Sequence, residues 1–232
     1  MEQQAISLNG KLLQVLLRDE ADRSVCAEIF KLREYRAAET IMEEAADPII
    51  DIGAHSGLFS LYVRALNATV PIIAVEPEPK NLELLAKHLL KNKIIGVEIV
   101  PAAVSGQNGK QQLVVSSDSH DHHLLEAGDD SGEQEIITVA TMTLSDLMKK
   151  RKLKRVSLIK IDIEGGEYAV FESLGSDDFA KIGAIIMEYH NYNGRHYLEI
   201  ENILRENGFG VQVFPSKFDK RMGFIFVKNK RV

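Results

Sequence analysis

A chain of 232 residues, 45% hydrophobic and 27% charged, suits one globular α/β domain with a real core and a short extra element, and excludes a second full domain. Its net charge of −6 repels polyanions and so disfavours a nucleic-acid acceptor. With Cys26 as the one cysteine, an intrachain disulfide and a cysteine-rich zinc site are excluded, in keeping with a reducing compartment. Met1-Glu2-Gln3-Gln4 carries neither a basic nor an apolar signal region, and no run approaches the roughly 18 apolar residues of a membrane helix, so a cytoplasmic protein with no membrane partner is expected.

In chain order, Ala5–Leu8 and Leu12–Leu17 flank Asn9-Gly10, the signal of a tight hairpin. Leu32, Tyr35, Ala38 and Ile41 then predict a helix within residues 31–46, which completes a lead-in spanning residues 1–46. From residue 47 to 232 short apolar runs alternate with helical patterns, the mark of βαβ units and a parallel sheet. Strands are expected at Ile49–Ile52, Ile72–Glu76, Val97–Pro101, Ser157–Ile161 and Ala184–Glu188, with helices at Gly57–Leu66, Pro79–Lys91, Gly166–Leu174 and Arg195–Asn207. Gly210–Phe214 and Gly223–Val227 read as a closing antiparallel hairpin. The expected fold is a doubly wound, Rossmann-like, mostly parallel sheet with that hairpin at its C-terminal edge. Between Gln111–Val115 and Glu135–Val139, the polar stretch 116–134 reads as a flexible insertion or lid.

The loop Asp51-Ile52-Gly53-Ala54-His55-Ser56-Gly57 joins a strand to a helix, where glycines let the backbone turn and the helix N-terminus offers free N–H groups. A dinucleotide site needs a third glycine at the centre, and here that place is His55. The bulky ring disfavours a pyrophosphate and favours a smaller ligand such as the methionine portion of S-adenosylmethionine, whose amino group and sulfonium Asp51 can attract. Glu76, at the end of the second strand and followed by Pro77, is placed to accept hydrogen bonds from both ribose hydroxyls. Val100–Ser105, Ala103 included, is expected over the adenine.

Chemistry is expected at Asp162 and Glu164, which follow the apolar strand ending at Ile161 and project at the carboxyl edge of the sheet. Asp162 is a candidate base or acceptor-orienting carboxylate that also borders the cofactor. Glu167 suits the dipole of the helix it opens. Glu188 and His190 share one side of the next strand; His190 is a candidate base, and with Asp162 and Glu188 a candidate set for a hard cation such as Mg²⁺. Asp118 and His120-Asp121-His122-His123 invite a metal reading that a polar loop explains more simply, and Lys149–Arg155 reads as a solvated helix end rather than a nucleic-acid patch.

With these residues in place the chain resembles the FkbM family of methyltransferases over about residues 47–228. The resemblance rests on Asp51–Gly57, Ala74-Val75-Glu76-Pro77, Ala102–Ser105, Thr143–Leu147, Leu158–Glu167 and Met187–His190. It implies transfer of a methyl group from S-adenosylmethionine to oxygen, with a small-molecule, sugar or glycan hydroxyl as acceptor. The chain departs at His55, where the family more often has Asn. The N-terminal 46 residues add little to the match and are expected to bear on the substrate. Two alternatives stand beside this reading: an RNA-modifying methyltransferase, suggested by the basic run, and an NAD-dependent oxidoreductase on a similar fold.

Overall fold

The computed structural model describes residues 1–116, 122–125, 134–191, 193–217 and 219–231. Strands β1 (Glu2–Leu8) and β2 (Lys11–Leu17) form an antiparallel hairpin, with Asn9 and Gly10 at φ 48° and 72°, the left-handed pair that a two-residue turn requires. Helix α1 (Glu20–Ala27) follows, capped by the Asp19 side chain on the Asp22 amide. The helix expected over 31–46 is instead three pieces: a wide turn at Glu28–Leu32, a 3₁₀ turn at Glu34–Ala38, and α2 (Glu39–Glu44). Arg33 at φ 55° breaks the ladder, and the spacing of Leu32, Tyr35, Ala38 and Ile41 by threes is the 3₁₀ repeat rather than 3.6.

Next come β3 (Ile49–Ile52), α3 (Leu58–Leu66), β4 (Ile72–Val75), α4 (Pro79–Lys91) and β5 (Val97–Val100). Then follow β6 (Ala103–Val104), β7 (Gly109–Val115), β8 (His123–Leu124), β9 (Glu135–Met142), α5 (Leu144–Lys150) and β10 (Leu158–Ile161). The chain finishes with α6 (Glu167–Glu172), α7 (Ser176–Phe179), β11 (Ala184–His190), α8 (Tyr197–Glu206), β12 (Phe209–Pro215) and β13 (Met222–Asn229). Among the described residues the main sheet runs β12-β13-β11-β10-β3-β4-β5, parallel from β5 to β11 and closed by the antiparallel β12–β13 pair. A second sheet, β6-β9-β7-β8, stands beside it. Its β8 takes up part of the stretch read as a loop, pairing His123 with Val114 and Leu124 with Leu113. Asp118, His120 and Asp121 lie outside the described residues. No described helix is long and apolar enough to cross a membrane.

Each of β3, β4 and β10 is buried along its whole length, as parallel strands covered on both faces must be. Helix α3 is buried from Leu58 to Ala65, so one side faces the sheet and the other needs its own cover. The N-terminal segment supplies it: Leu13, Val15, Leu17, Cys26 and Ile29 share a core cluster with Phe59, Leu61 and Tyr62.

The outer edge of β2 is finished by α4. Asn92 Oδ1 accepts from the Gln14 N–H at 2.7 Å, and His88 Nε2 from the Leu16 N–H at 2.8 Å. Since Nε2 accepts, Nδ1 carries the proton and donates to the Ser56 carbonyl at 2.7 Å, which ties the hairpin to the glycine loop. Burial holds this histidine below its usual pKa, consistent with a neutral ring. His88→Ala would leave a part-buried N–H and a buried carbonyl unpaired and is expected to cost about 3 kcal/mol in urea unfolding. A loss below about 0.5 kcal/mol, the range of an ordinary surface change, would show that His88 carries no such tie.

Candidate active site

Strand β3 is followed by β4 on one side of the sheet and lies beside β10 on the other, so a crevice opens past the carboxyl ends of β3 and β10. A cavity of about 850 Å³ occupies it. The loop above β3 is pinned by two amides, Gly53 and Ala54, donating to the Val75 carbonyl at 3.1 and 3.0 Å. Gly53 has φ +73°, and a Cβ placed on it would lie 1.8 Å from the Asp162 carbonyl oxygen. This glycine therefore serves the close approach of two chain segments as well as the cavity it lines. Gly57, at φ +82°, serves packing: a Cβ there would meet Leu85 at 2.8 Å, and the residue caps α3 without lining the cavity.

Glu76 lines the cavity yet is only 4% exposed. Its Oε2 accepts from the His55 N–H at 2.8 Å, and its Oε1 from the Glu78 N–H at 2.9 Å and from Asn81 Nδ2 at 3.3 Å. Burial pushes its pKa up to about 7 in spite of these donors. His55, at φ +49°, is tied to the N-terminal segment. Arg18 Nη2 lies 3.2 Å from its Nε2 and donates to Asn81 Oδ1 at 2.8 Å, while pairing with the fully buried Asp22. A guanidinium can only donate, so His55 is neutral, and burial takes its pKa down to about 3.

Asp51, expected to face a ligand, does not line the cavity. As a residue of β3 it points into the face beneath α3, fully buried, where its Oδ2 accepts from the Ser60 hydroxyl at 2.9 Å. Its Oδ1 receives no hydrogen bond and sits 3.6 Å from Lys160 Nζ. Lys160 reaches the cavity wall, donating to the Gly53 carbonyl at 2.6 Å and standing 3.4 Å from Asp162 Oδ2. Burial opposes its charge, but Asp162 and Asp51 outweigh burial and raise its pKa. The cation is thus spent on two carboxylates. Asp162, with 29% of its side chain exposed, lines the cavity along with Glu164.

His190 stands apart from that wall. Its Nδ1 is 3.1 Å from Glu167 Oε1 and its Nε2 3.4 Å from Glu164 Oε2. Burial works against the charged ring, yet Glu167, Glu164 and Glu188 carry its pKa up to about 10. Carboxylates facing both ring nitrogens favour the charged form, so the base role read from the sequence would require one of them to release the ring. Glu167 does more than face a helix dipole: it is fully buried and also accepts the Gly165 N–H at 3.2 Å. Among the described residues no group of three or more His, Cys, Asp or Glu side chains could hold a metal ion. Asp162, Glu188 and His190 are not brought together as a cation set, because the His190 nitrogens are engaged by Glu167 and Glu164.

Against this geometry, residues 51–211 match the family model described as the Methyltransferase FkbM domain. The chain belongs to the FkbM methyltransferase family. The 31-O-demethyl-FK506 methyltransferase FkbM of Streptomyces tacrolimicus is 24% identical over 194 residues, 71% of this chain and 73% of its own. A solved FkbM methyltransferase from Methylobacillus flagellatus KT superposes with a TM-score of 0.54 at 12% identity, over 91% of this chain and 56% of that one. An rRNA methylase from Streptococcus thermophilus gives 0.54 at 10% identity, over 85% and 96%. The shared fold is that of class I S-adenosylmethionine-dependent methyltransferases. FkbM membership removes the nicotinamide oxidoreductase reading, while the fold, common to an rRNA methylase, does not choose the acceptor.

Of the FkbM motif residues, Gly53, Ala54, His55, Glu76, Pro77, Ala103, Asp162 and Glu164 meet around the cavity; Asp51, Gly57, Glu188 and His190 do not line it. The sequence reading missed Lys160, Asn81 and the N-terminal Val25, Ile29 and Tyr35, all on the wall. Lys160 alone carried a signal, a charge in the middle of a four-residue apolar strand. From the polar stretch, His122, His123 and Leu124 also reach the cavity.

Proposed function

We propose that this chain transfers the methyl group of S-adenosylmethionine to a hydroxyl oxygen of a small molecule or sugar, with Asp162 at the reacting oxygen. The observation that carries the reading is one cavity bearing a buried, pre-oriented carboxylate, Glu76, and an accessible one, Asp162. The residues fit the cofactor. Glu76, with three of its roughly four lone-pair sites taken, has one left for a ribose hydroxyl and a second if the long Asn81 contact yields; Ala102, Ala103 and Val104 give an apolar wall for an adenine, and Lys160 is too neutralised to favour a pyrophosphate.

When bound, the cofactor supplies an electrophilic methyl on a sulfonium, and the bonding pair returns to sulfur. Asp162 accepts the proton that the hydroxyl gives up as its oxygen takes the methyl. Lys160 fixes that carboxylate, and the Gly53 close contact fixes the loop opposite, so positioning supplies much of the rate. The name of the S. tacrolimicus relative points to an oxygen of a natural product, which supports oxygen as the acceptor atom. The basic run at 149–155 precedes β10, at the sheet edge away from the cavity, and two of its cations are engaged, Arg151 with Glu98 and Arg155 with Asp47. These pairings favour a structural use of the run over an RNA-binding one.

Calorimetry with S-adenosylhomocysteine tests the reading, and pH sharpens it. If ribose hydroxyls donate to Glu76, the ligand binds the ionised carboxylate, whose pKa is about 7. Affinity is then expected to be level above pH 7 and to weaken by up to about tenfold per unit as pH falls below it. Glu76→Gln should bind weakly with a flat profile. A flat profile in the parent chain would remove this role, and no binding by a folded sample would remove the proposal.

A further inference from the structure

Beside the cofactor cavity lies a second depression of about 1110 Å³, bounded by the segment around the 3₁₀ turn, the end of β11 and the β12–β13 hairpin. The turn separates the two: Tyr35 lines the cofactor cavity while its neighbours Glu34 and Arg36 line the groove. The Tyr35 ring is held edge-on between Phe59 and Phe224, with centroids 5.0 and 5.8 Å away, so the turn forms a wall common to both spaces. Two carboxylates, Glu34 and Glu188, face the groove, and among the described residues neither receives a hydrogen bond or forms an ion pair. Burial and then neighbouring negative charge, Asp162 included, push Glu34 up to about 7 and Glu188 well above the carboxylate range. Met187, just before Glu188, pairs with Ile161, just before Asp162, so the groove carboxylate and the one placed at the reacting oxygen stand side by side on neighbouring parallel strands. On its walls Leu32 and Phe214 are 57% and 48% exposed, large apolar side chains left uncovered around polar groups left unpaired.

We propose that this groove is the acceptor site, and that it takes an amphipathic molecule whose hydroxyls reach Glu34 and Glu188 while its apolar body lies against Leu32, Phe214 and Met222. The proposal rests on the methyl-transfer reading of the adjoining cavity. It narrows the acceptor class: a plain sugar satisfies the carboxylates and leaves the apolar walls wet, whereas a hydroxylated apolar molecule covers both. It also gives the N-terminal segment a task, since Leu32 and Glu34 lie ahead of the family match at residue 51.

Met222 on the groove wall reports on occupancy, one of six methionines. The protein, labelled with ¹³C at its methionine methyls and saturated with S-adenosylhomocysteine, is titrated with n-octyl β-glucoside below its micellar concentration, with glucose as comparator. The Met222 signal, assigned through Met222→Leu, is expected to shift saturably with octyl glucoside and at least tenfold more weakly with glucose. Joint Leu32→Ser and Phe214→Ser substitution should weaken the octyl glucoside response at least fivefold while S-adenosylhomocysteine affinity stays within twofold. A silent Met222 beside a normal S-adenosylhomocysteine isotherm, or an equal response to glucose, overturns the groove alone. A responsive Met222 in a folded chain that binds no S-adenosylhomocysteine overturns the methyl-transfer reading and the acceptor role with it.

Discussion

Gly53→Ala is expected to cost on the order of 4 kcal/mol or more and to abolish S-adenosylhomocysteine binding. Two penalties add. An L-residue at φ +73° pays about 1–2 kcal/mol for the left-handed region alone. The added methyl would also lie 1.8 Å from a backbone oxygen, that of Asp162, so the ends of β3 and β10 would have to part where their ladder is buried. A side chain could swing aside; a carbonyl in the central pair of the sheet cannot. Gly194 provides the control, with φ +78° and nothing within 4 Å of its Cβ. Gly194→Ala should show only the conformational penalty of about 1–2 kcal/mol and leave binding intact. Equal losses in the two variants, measured by urea unfolding and calorimetry, would show that the contact with Asp162 does not matter.

Asp162→Ala should separate chemistry from binding. With a methyl acceptor in hand, kcat is expected to fall by about 10²–10⁴-fold, the usual contribution of a positioned base. The cofactor product should bind within a few-fold of the parent. The fold should survive, because Lys160 keeps its pair with Asp51 at 3.6 Å and its bond to the Gly53 carbonyl. A binding loss as large as the kcat loss would make Asp162 a cofactor ligand; an unchanged kcat would remove it from the reaction.

The parallel strands and α4 were open to reading from sequence because their causes are local. Ile49-Ile50 and Ile72-Ile73 follow Pro48 and Pro71, and Pro79 opens a helix with one apolar stripe whose bounds, Pro79–Lys91, are those expected. Helix α1 was missed because one of its inward residues is Asp22, made tolerable by Arg18, which no apolar pattern registers. Asp51 was misplaced for a similar reason. Its neighbour Gly53 suggested a ligand, while the cation that holds it, Lys160, lies on β10, more than a hundred residues on. The carboxylates around His190 were not legible either, because Glu167 reads from sequence as a helix-end charge while the fold buries it against the ring. Local periodicity reveals elements; charges paired across layers do not appear in it.

The contacts of His55 and His88 change what counts as a replaceable part. The family match begins at residue 51, which invites grafting the first 46 residues of one relative onto the body of another. Yet Arg18, Asp22, His55 and Asn81 form one bonded chain that ends on Glu76, and β2 is completed by His88 and Asn92 of the body. A foreign lead-in would take the Arg18 guanidinium away from His55 and Asn81, and Asn in place of His55 would take the ring nitrogen away from Arg18, in both cases at the rim of the cofactor cavity. The heritable unit is the lead-in together with its matching residues in the loop and α4, and recombination between relatives would have to move them as a set.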